Sequence, residues 1–129
     1  KANFRICKGI YIEPEEIAFK DPDDIRKNFV KILRTAIERK AYCGIATHDE
    51  WIIDESKKLV REFGLKREDY EFQMLLGVRE SIRDNLVKEG NRVRVYVPFG
   101  ERWYEYSIRR FKENPNMAGQ VLKSILTRN

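Results

Sequence analysis

The chain reads as a parallel α/β protein, and three observations carry that reading. Short apolar runs of strand length alternate with amphipathic stretches of helical period, four times over. No Asn-Gly or Asp-Gly pair joins neighbouring apolar runs as a hairpin would, so the strands connect through helices. Several strand-like runs end in polar or ionisable groups, the pattern of strand tips that open on a site.

Phe4-Arg5-Ile6-Cys7-Lys8-Gly9-Ile10-Tyr11 is the first predicted strand, stopped by Glu13-Pro14. An irregular acidic segment follows, then a helix from about Asp24 to Lys40. Ile25, Phe29, Ile32, Leu33, Ala36 and Ile37 recur there at helical spacing, with Asp23 or Asp24 as the expected cap. Ala41 to Ala46 is the second strand, and Trp51, Ile52, Leu59, Val60 and Phe63 mark a helix closed by Gly64. Tyr70 to Leu75 is the third strand, ending at Gly77; its helix runs from about Glu80 to Glu89, with Ile82, Leu86 and Val87 on one face and Gly90 as the stop. Arg94 to Val97 is the fourth strand, halted by Pro98 and Gly100. Helices are expected over about 102–114 and 117–127. Four βα units make half a barrel or a small open sheet.

Bulk composition narrows the class. At 129 residues the chain is too short for a complete (β/α)8 barrel, which typically takes about 250. Net charge is +5 and pI about 9.2, but the basic residues are interspersed with acidic ones and no zinc, RNP or glycine-loop signature accompanies them. Nucleic acid is therefore not the expected partner. Cys7 and Cys43 sit among apolar neighbours and are expected to be reduced core thiols, which suits a reducing compartment. No apolar run approaches the roughly 20 residues of a membrane span. The chain opens without methionine, and the first strand begins almost at once; both lead to the expectation that it is cut from a longer parent.

Candidate site residues cluster at the strand tips. Arg5 and Lys8 are separated by an odd number, so at strand period they face opposite sides and at most one lines a barrel interior; Lys8 is either a solvent-facing strand end or a site residue. Thr47 and His48 follow the second strand: they either satisfy free N–H groups at the next helix or contact an anionic group there. His48 is the sole histidine, so a zinc site is not expected. Glu71 and Gln73 share a strand face and need polar partners or a ligand. Tyr11, Leu75 and Tyr96 either pack or line a pocket. Arg109 and Arg110 diverge by about 100° on a helix; with Glu113 they form either a solvated helix surface or an anion grip in which Glu113 braces one arginine. The aromatic residues Phe99, Trp103, Tyr104 and Tyr106 stand just before them.

These motifs together resemble proline dehydrogenase. Val93 to Gly100, Trp103 to Tyr106 and Arg109-Arg110 with Glu113-Asn114-Pro115 are similar to the end of that family's catalytic barrel. Phe4 to Tyr11 with Glu13-Pro14 resembles its fifth strand, Ala46-Thr47-His48-Asp49 its sixth-strand turn, and Glu71 to Arg79 its seventh. The resemblance implies the C-terminal half of a (β/α)8 TIM barrel: about four βα units plus a terminal helix, spanning residues 1–129. It implies hydride transfer from L-proline to FAD, giving Δ1-pyrroline-5-carboxylate, with electrons passed to a quinone. Arg109, Arg110, Glu113, Tyr96, Tyr11 and Leu75 match substrate-binding positions. Arg5, Cys7, Gly9, Thr47, His48 and Gln73 are the expected cofactor-binding positions, with Cys7 where relatives often carry valine. The family's first four βα units are missing, so the chain alone is expected to need either the N-terminal half of the barrel or a second copy. A bacterial protein would then be cytoplasmic or peripheral at the inner membrane, and a eukaryotic one in the mitochondrial matrix. Two rivals remain at this stage, another barrel enzyme for a small carboxylate and a non-catalytic α/β domain that docks through its basic surface.

Overall fold

The computed structural model describes residues 2–9, 13–97, 99–101 and 108. Its elements run β1 (Asn3–Cys7), α1 (Pro22–Glu38), β2 (Tyr42–Ala46), α2 (Glu50–Glu62), β3 (Tyr70–Leu75), α3 (Glu80–Lys88) and β4 (Val93–Tyr96). All three strand pairs are parallel, and the sheet order β1-β2-β3-β4 follows the chain. The expected parallel α/β architecture is therefore present, consistent with part of a TIM-type barrel. The helices expected over 102–114 and 117–127 lie almost wholly outside the described residues.

Each strand buries one of its two faces. Ile6, Ile45, Phe72 and Val93 align across the sheet, with Cys43 beside Tyr70 below them and Met74 beside Val95 above. Phe29, Leu33, Ala36 and Ile37 of α1, Ile52, Ile53 and Leu59 of α2, and Leu86 of α3 join that row in one core. The described helices cover a single face of a sequentially ordered sheet, as in a barrel wound in one sense; a doubly wound sheet reverses its order and covers both faces. Opposite the core lies what we call the inner face.

Local chemistry explains the element boundaries. Asp21, not Asp23 or Asp24, caps α1: its carboxylate accepts from the N–H groups of Asp23 and Asp24, and Pro22 occupies the first turn, where a missing N–H does no harm. The three described helices end alike. The N–H groups of Ala41, Leu65 and Asn91 reach back to the carbonyls of Ala36, Val60 and Leu86, around left-handed residues Lys40, Gly64 and Gly90. Gly64 and Gly90 announce these Schellman stops in the sequence, whereas Lys40 does not, because only its backbone adopts the glycine-like conformation.

Burial departs from the expected faces at four apolar positions. Ile32, Trp51 and Val87 are exposed, being at the margins of helical stripes whose centres meet the sheet. Phe63 is also exposed, at 37%, and the Arg34 guanidinium lies 5.4 Å from its ring centroid while forming a two-pronged ion pair with Glu62. No described helix is long and apolar enough to cross a membrane.

Leu33 is fully buried in α1, while its neighbour Ile32 faces solvent. Leu33→Ala is expected to lower stability by about 2–5 kcal/mol, and Ile32→Ala by less than about 0.5 kcal/mol. Urea unfolding of both variants measures the contrast.

Candidate functional site

Strand register stacks the inner-face residues in layers. Arg5, Gly44 and Glu71 lie in one row, with Arg92 beside Glu71. Cys7, Ala46, Gln73 and Arg94 form the next row, and Leu75 with Tyr96 the one nearest the strand tips. Six expected site residues, Arg5, Cys7, Gln73, Leu75, Tyr96 and the ring of His48, thus meet on or at the rim of one face. The expectation that Cys7 is a core thiol is corrected: β1 turns it away from the helices and leaves it exposed, while Cys43 is buried and burial pushes its thiol up. Tyr96 is half exposed on this open face. Tyr11, Arg109, Arg110 and Glu113 lie outside the described residues.

Glu71 anchors the face, at 2% exposure. Arg94 grips both its oxygens, with Nε 2.7 Å from Oε1 and Nη2 donating to Oε2 at 3.2 Å. Gln73 Nε2 donates to Oε1 at 2.8 Å, and Arg92 Nε lies 3.5 Å from Oε2. Burial alone would raise the Glu71 pKa, but the hydrogen bonds from Arg94, Gln73 and Tyr42 outweigh it and hold the carboxyl below its ordinary value. Tyr42 shows the reverse balance, its phenol raised by burial and by its bond to Glu71. Among the described inner-face residues, three arginines (Arg5, Arg92 and Arg94) stand against this single carboxylate, so the face has surplus positive charge.

A second anchor sits at the rim. Asp49 caps α2 by accepting from the Ile52 N–H, and its other oxygen accepts from Lys8 Nζ at 3.0 Å and Arg26 Nε at 2.9 Å. One carboxylate thereby ties the end of β1, the start of α1 and the start of α2. Burial works against its ionisation, yet the bonds from Arg26 and Lys8 leave its pKa lowered. Lys8 is therefore more than a solvent-facing strand end. Its partner was invisible in sequence because residues 8, 26 and 49 meet only through the fold.

Thr47 is buried and its hydroxyl accepts from the Asp49 N–H, as a helix-start residue should. His48 does something else: its Nε2 accepts from the Leu75 backbone N–H at 3.0 Å, standing in for a strand carbonyl beyond the last β2–β3 pair. That bond requires the neutral ring with its proton on Nδ1, leaving Nδ1–H as a donor. Burial, aided by the charge of Arg79, lowers the His48 pKa. Arg79 itself starts α3 in the left-handed region, φ 49°, and its guanidinium donates to Glu50 at 2.8 Å.

Among the described residues the donor set is cationic, with one amide, one imidazole N–H and an open backbone at Gly9, where an added Cβ would meet no described atom within 4 Å. Such a face suits an extended anionic group carrying hydrogen-bonding ring edges. Among the described residues, no group of three or more His, Cys, Asp or Glu could hold a metal ion.

The model of the proline dehydrogenase family matches residues 1–123. A proline dehydrogenase of Deinococcus radiodurans is 40% identical over 126 residues, covering 98% of this chain and 41% of the relative. Proline dehydrogenase 2 of Bacillus subtilis strain 168 is 45% identical over 121 residues, 94% of this chain and 40% of the relative. Proline dehydrogenase 1 of the same strain is 41% identical over 126 residues, 98% and 42%. The chain thus spans about two-fifths of the length of the relatives it matches.

The lowered His48 pKa makes a signed prediction. The neutral ring is favoured in the fold, so its contribution is complete above the ordinary value of 6.5 and falls as pH drops through the folded pKa. Asp49 and Glu71 contribute in the same sense only below their ordinary values of 3.8 and 4.5. Thermal unfolding should therefore show stability declining between pH 6.5 and 4.5, and His48→Gln, which can still accept from Leu75, should flatten that decline. An identical slope in both proteins would contradict the assignment.

Proposed function

This chain belongs to the proline dehydrogenase family, and from that premise we propose that it forms the C-terminal half of a flavin-dependent barrel that oxidises L-proline to Δ1-pyrroline-5-carboxylate. The observation that carries the reading is the one-sided sheet: helices cover one face, and the other presents Arg5, Cys7, Gln73, Arg94 and Tyr96 in register. An inner face of this kind is where a parallel barrel keeps its chemistry, at the C-terminal ends of its strands.

FAD, when bound, supplies the acceptor for the hydride leaving proline C5. The residues described fit such a group. Surplus arginine charge on the inner face favours an electron-rich ring, and Lys8 and the Nδ1–H of His48 offer donors at the rim for phosphate or ring oxygens. Gly9 leaves its backbone open to close approach. Arg5, Cys7, Gly9, Thr47, His48 and Gln73 are accordingly assigned to the cofactor.

For the substrate we assign Arg109 and Arg110 to the proline carboxylate, with Glu113 bracing them, and Tyr11, Leu75 and Tyr96 to the ring. A two-pronged guanidinium grip fixes a carboxylate in angle as well as distance, which is what aiming C5 at a flat acceptor demands. The protein's work is positioning and exclusion of water; the redox chemistry belongs to the cofactor. Electrons then pass to a quinone, which fits peripheral contact with a membrane. The partner that completes the barrel is an N-terminal half carrying the remaining βα units, and it pairs at β1 and β4, whose outer edges meet no strand among the described residues.

The test joins this chain to that half. The complete barrel should purify with flavin and reduce a dye acceptor in a proline-dependent reaction. Arg109→Ala or Arg110→Ala should raise the KM for proline about tenfold or more by removing a charge-assisted contact, with flavin content unchanged. A flavin-loaded barrel that leaves proline untouched would end the proposal.

A further inference from the structure

We propose that Glu71 is a positioning residue that holds the Gln73 carboxamide in one orientation, so that Gln73 presents its carbonyl oxygen to an N–H on the ring edge of the bound cofactor. This rests on the reading that the inner face holds the flavin, whose pyrimidine-like edge carries one N–H between two carbonyls.

Three separate features constrain this one amide. The first is chemical: Gln73 Nε2 donates to Glu71 Oε1 at 2.8 Å, and an ionised carboxylate can only accept. A flipped amide would set two acceptor oxygens against each other, so Oε1 of Gln73 is left as the end available to a ligand. The second is steric. Gly44 lies across from Glu71 on β2, and a Cβ there would come within 2.5 Å of Gln73 Nε2 and 3.1 Å of its Cδ. Any side chain at position 44 would evict the amide from its place over the strand. The third is the rigidity of Glu71 itself, which is buried and clamped on both oxygens by Arg94, with Arg92 beside it.

A glutamine that served only to satisfy Glu71 would need neither the mid-strand glycine nor a clamped partner, since water on an open face could do the same. Glycine inside a strand weakens it, and here its lack of a side chain is what seats the amide. Arg94 therefore acts on the ligand at one remove: it fixes Glu71, and Glu71 fixes Gln73.

The experiment titrates FAD into the flavin-free complete barrel and compares four proteins: wild type, Glu71→Gln, Gln73→Leu and the double variant. Glu71→Gln can take either orientation of the amide and should weaken FAD binding about tenfold, as should Gln73→Leu, each through one hydrogen bond. The double variant should be no weaker than Gln73→Leu alone, because Glu71 acts through Gln73. An equal loss from Glu71→Gln in both backgrounds would make Glu71 a support of the fold only, and overturn the proposal; so would unchanged FAD affinity in Gln73→Leu. Gly44→Ala, which leaves Glu71 and Arg94 intact, should reproduce the tenfold loss if Glu71→Gln fails to fold. A wild-type barrel that takes up no FAD would reject the flavin reading and this inference with it. Tight FAD binding by wild type and variants alike would reject this inference alone.

Discussion

Everything on the inner face depends on the register that the apolar row Ile6, Ile45, Phe72 and Val93 imposes on the sheet. Side chains alternate along a strand, so once that row is buried against the helices its neighbours must point the other way. A slip of one residue in any strand would put Arg5, Glu71 or Arg94 into the core and Ile6, Phe72 or Val93 into water. Hydrophobic burial thus does two things at once. It stabilises the fold, and it decides which polar groups face one another across the open side.

Two carboxylates then organise the polar half of the molecule. Glu71 sits deep in the face and gathers Arg94, Arg92, Gln73 and Tyr42; Asp49 sits at the rim and gathers Lys8, Arg26 and the first turn of α2. Each is held ionised by donors against the effect of burial. The two anchors differ in reach. Asp49 joins β1, α1 and α2 near the strand tips, where the positions of Thr47 and His48 are set. Glu71 works within the sheet, between adjacent strands.

His48 links these levels. By accepting from the Leu75 N–H it extends the β2–β3 pairing past the last regular bond, and the same bond chooses its tautomer. A ring that replaces a backbone carbonyl must stay neutral, which is why burial and the charge of Arg79 act in a useful direction. The opposite edge of the same imidazole keeps its Nδ1–H as a donor.

Much of this was legible from residue order. Period-two and period-3.6 patterns located all seven described elements, Gly64 and Gly90 marked two of the three helix ends, and the Glu71/Gln73 alternation put both on one face. Motif likeness reached the family. Two gaps have a common origin: Cys7 reads as core because its sequence neighbours are apolar, and His48, open between a helix-start group and an anion contact, gives no sign of its bond to Leu75. Local context cannot say which of two strand faces meets the helices, nor which backbone N–H lies 27 residues downstream. The sequence by itself determined the kinds of element, their order and the chemistry available at each strand tip, since these follow from periodicity and residue type. Only the tertiary structure decided that Lys8 and Arg26 share Asp49, and that Arg94 and Gln73 share Glu71, because ion pairs and hydrogen bonds act over a few ångströms and the chain brings those residues within reach only when the sheet is formed.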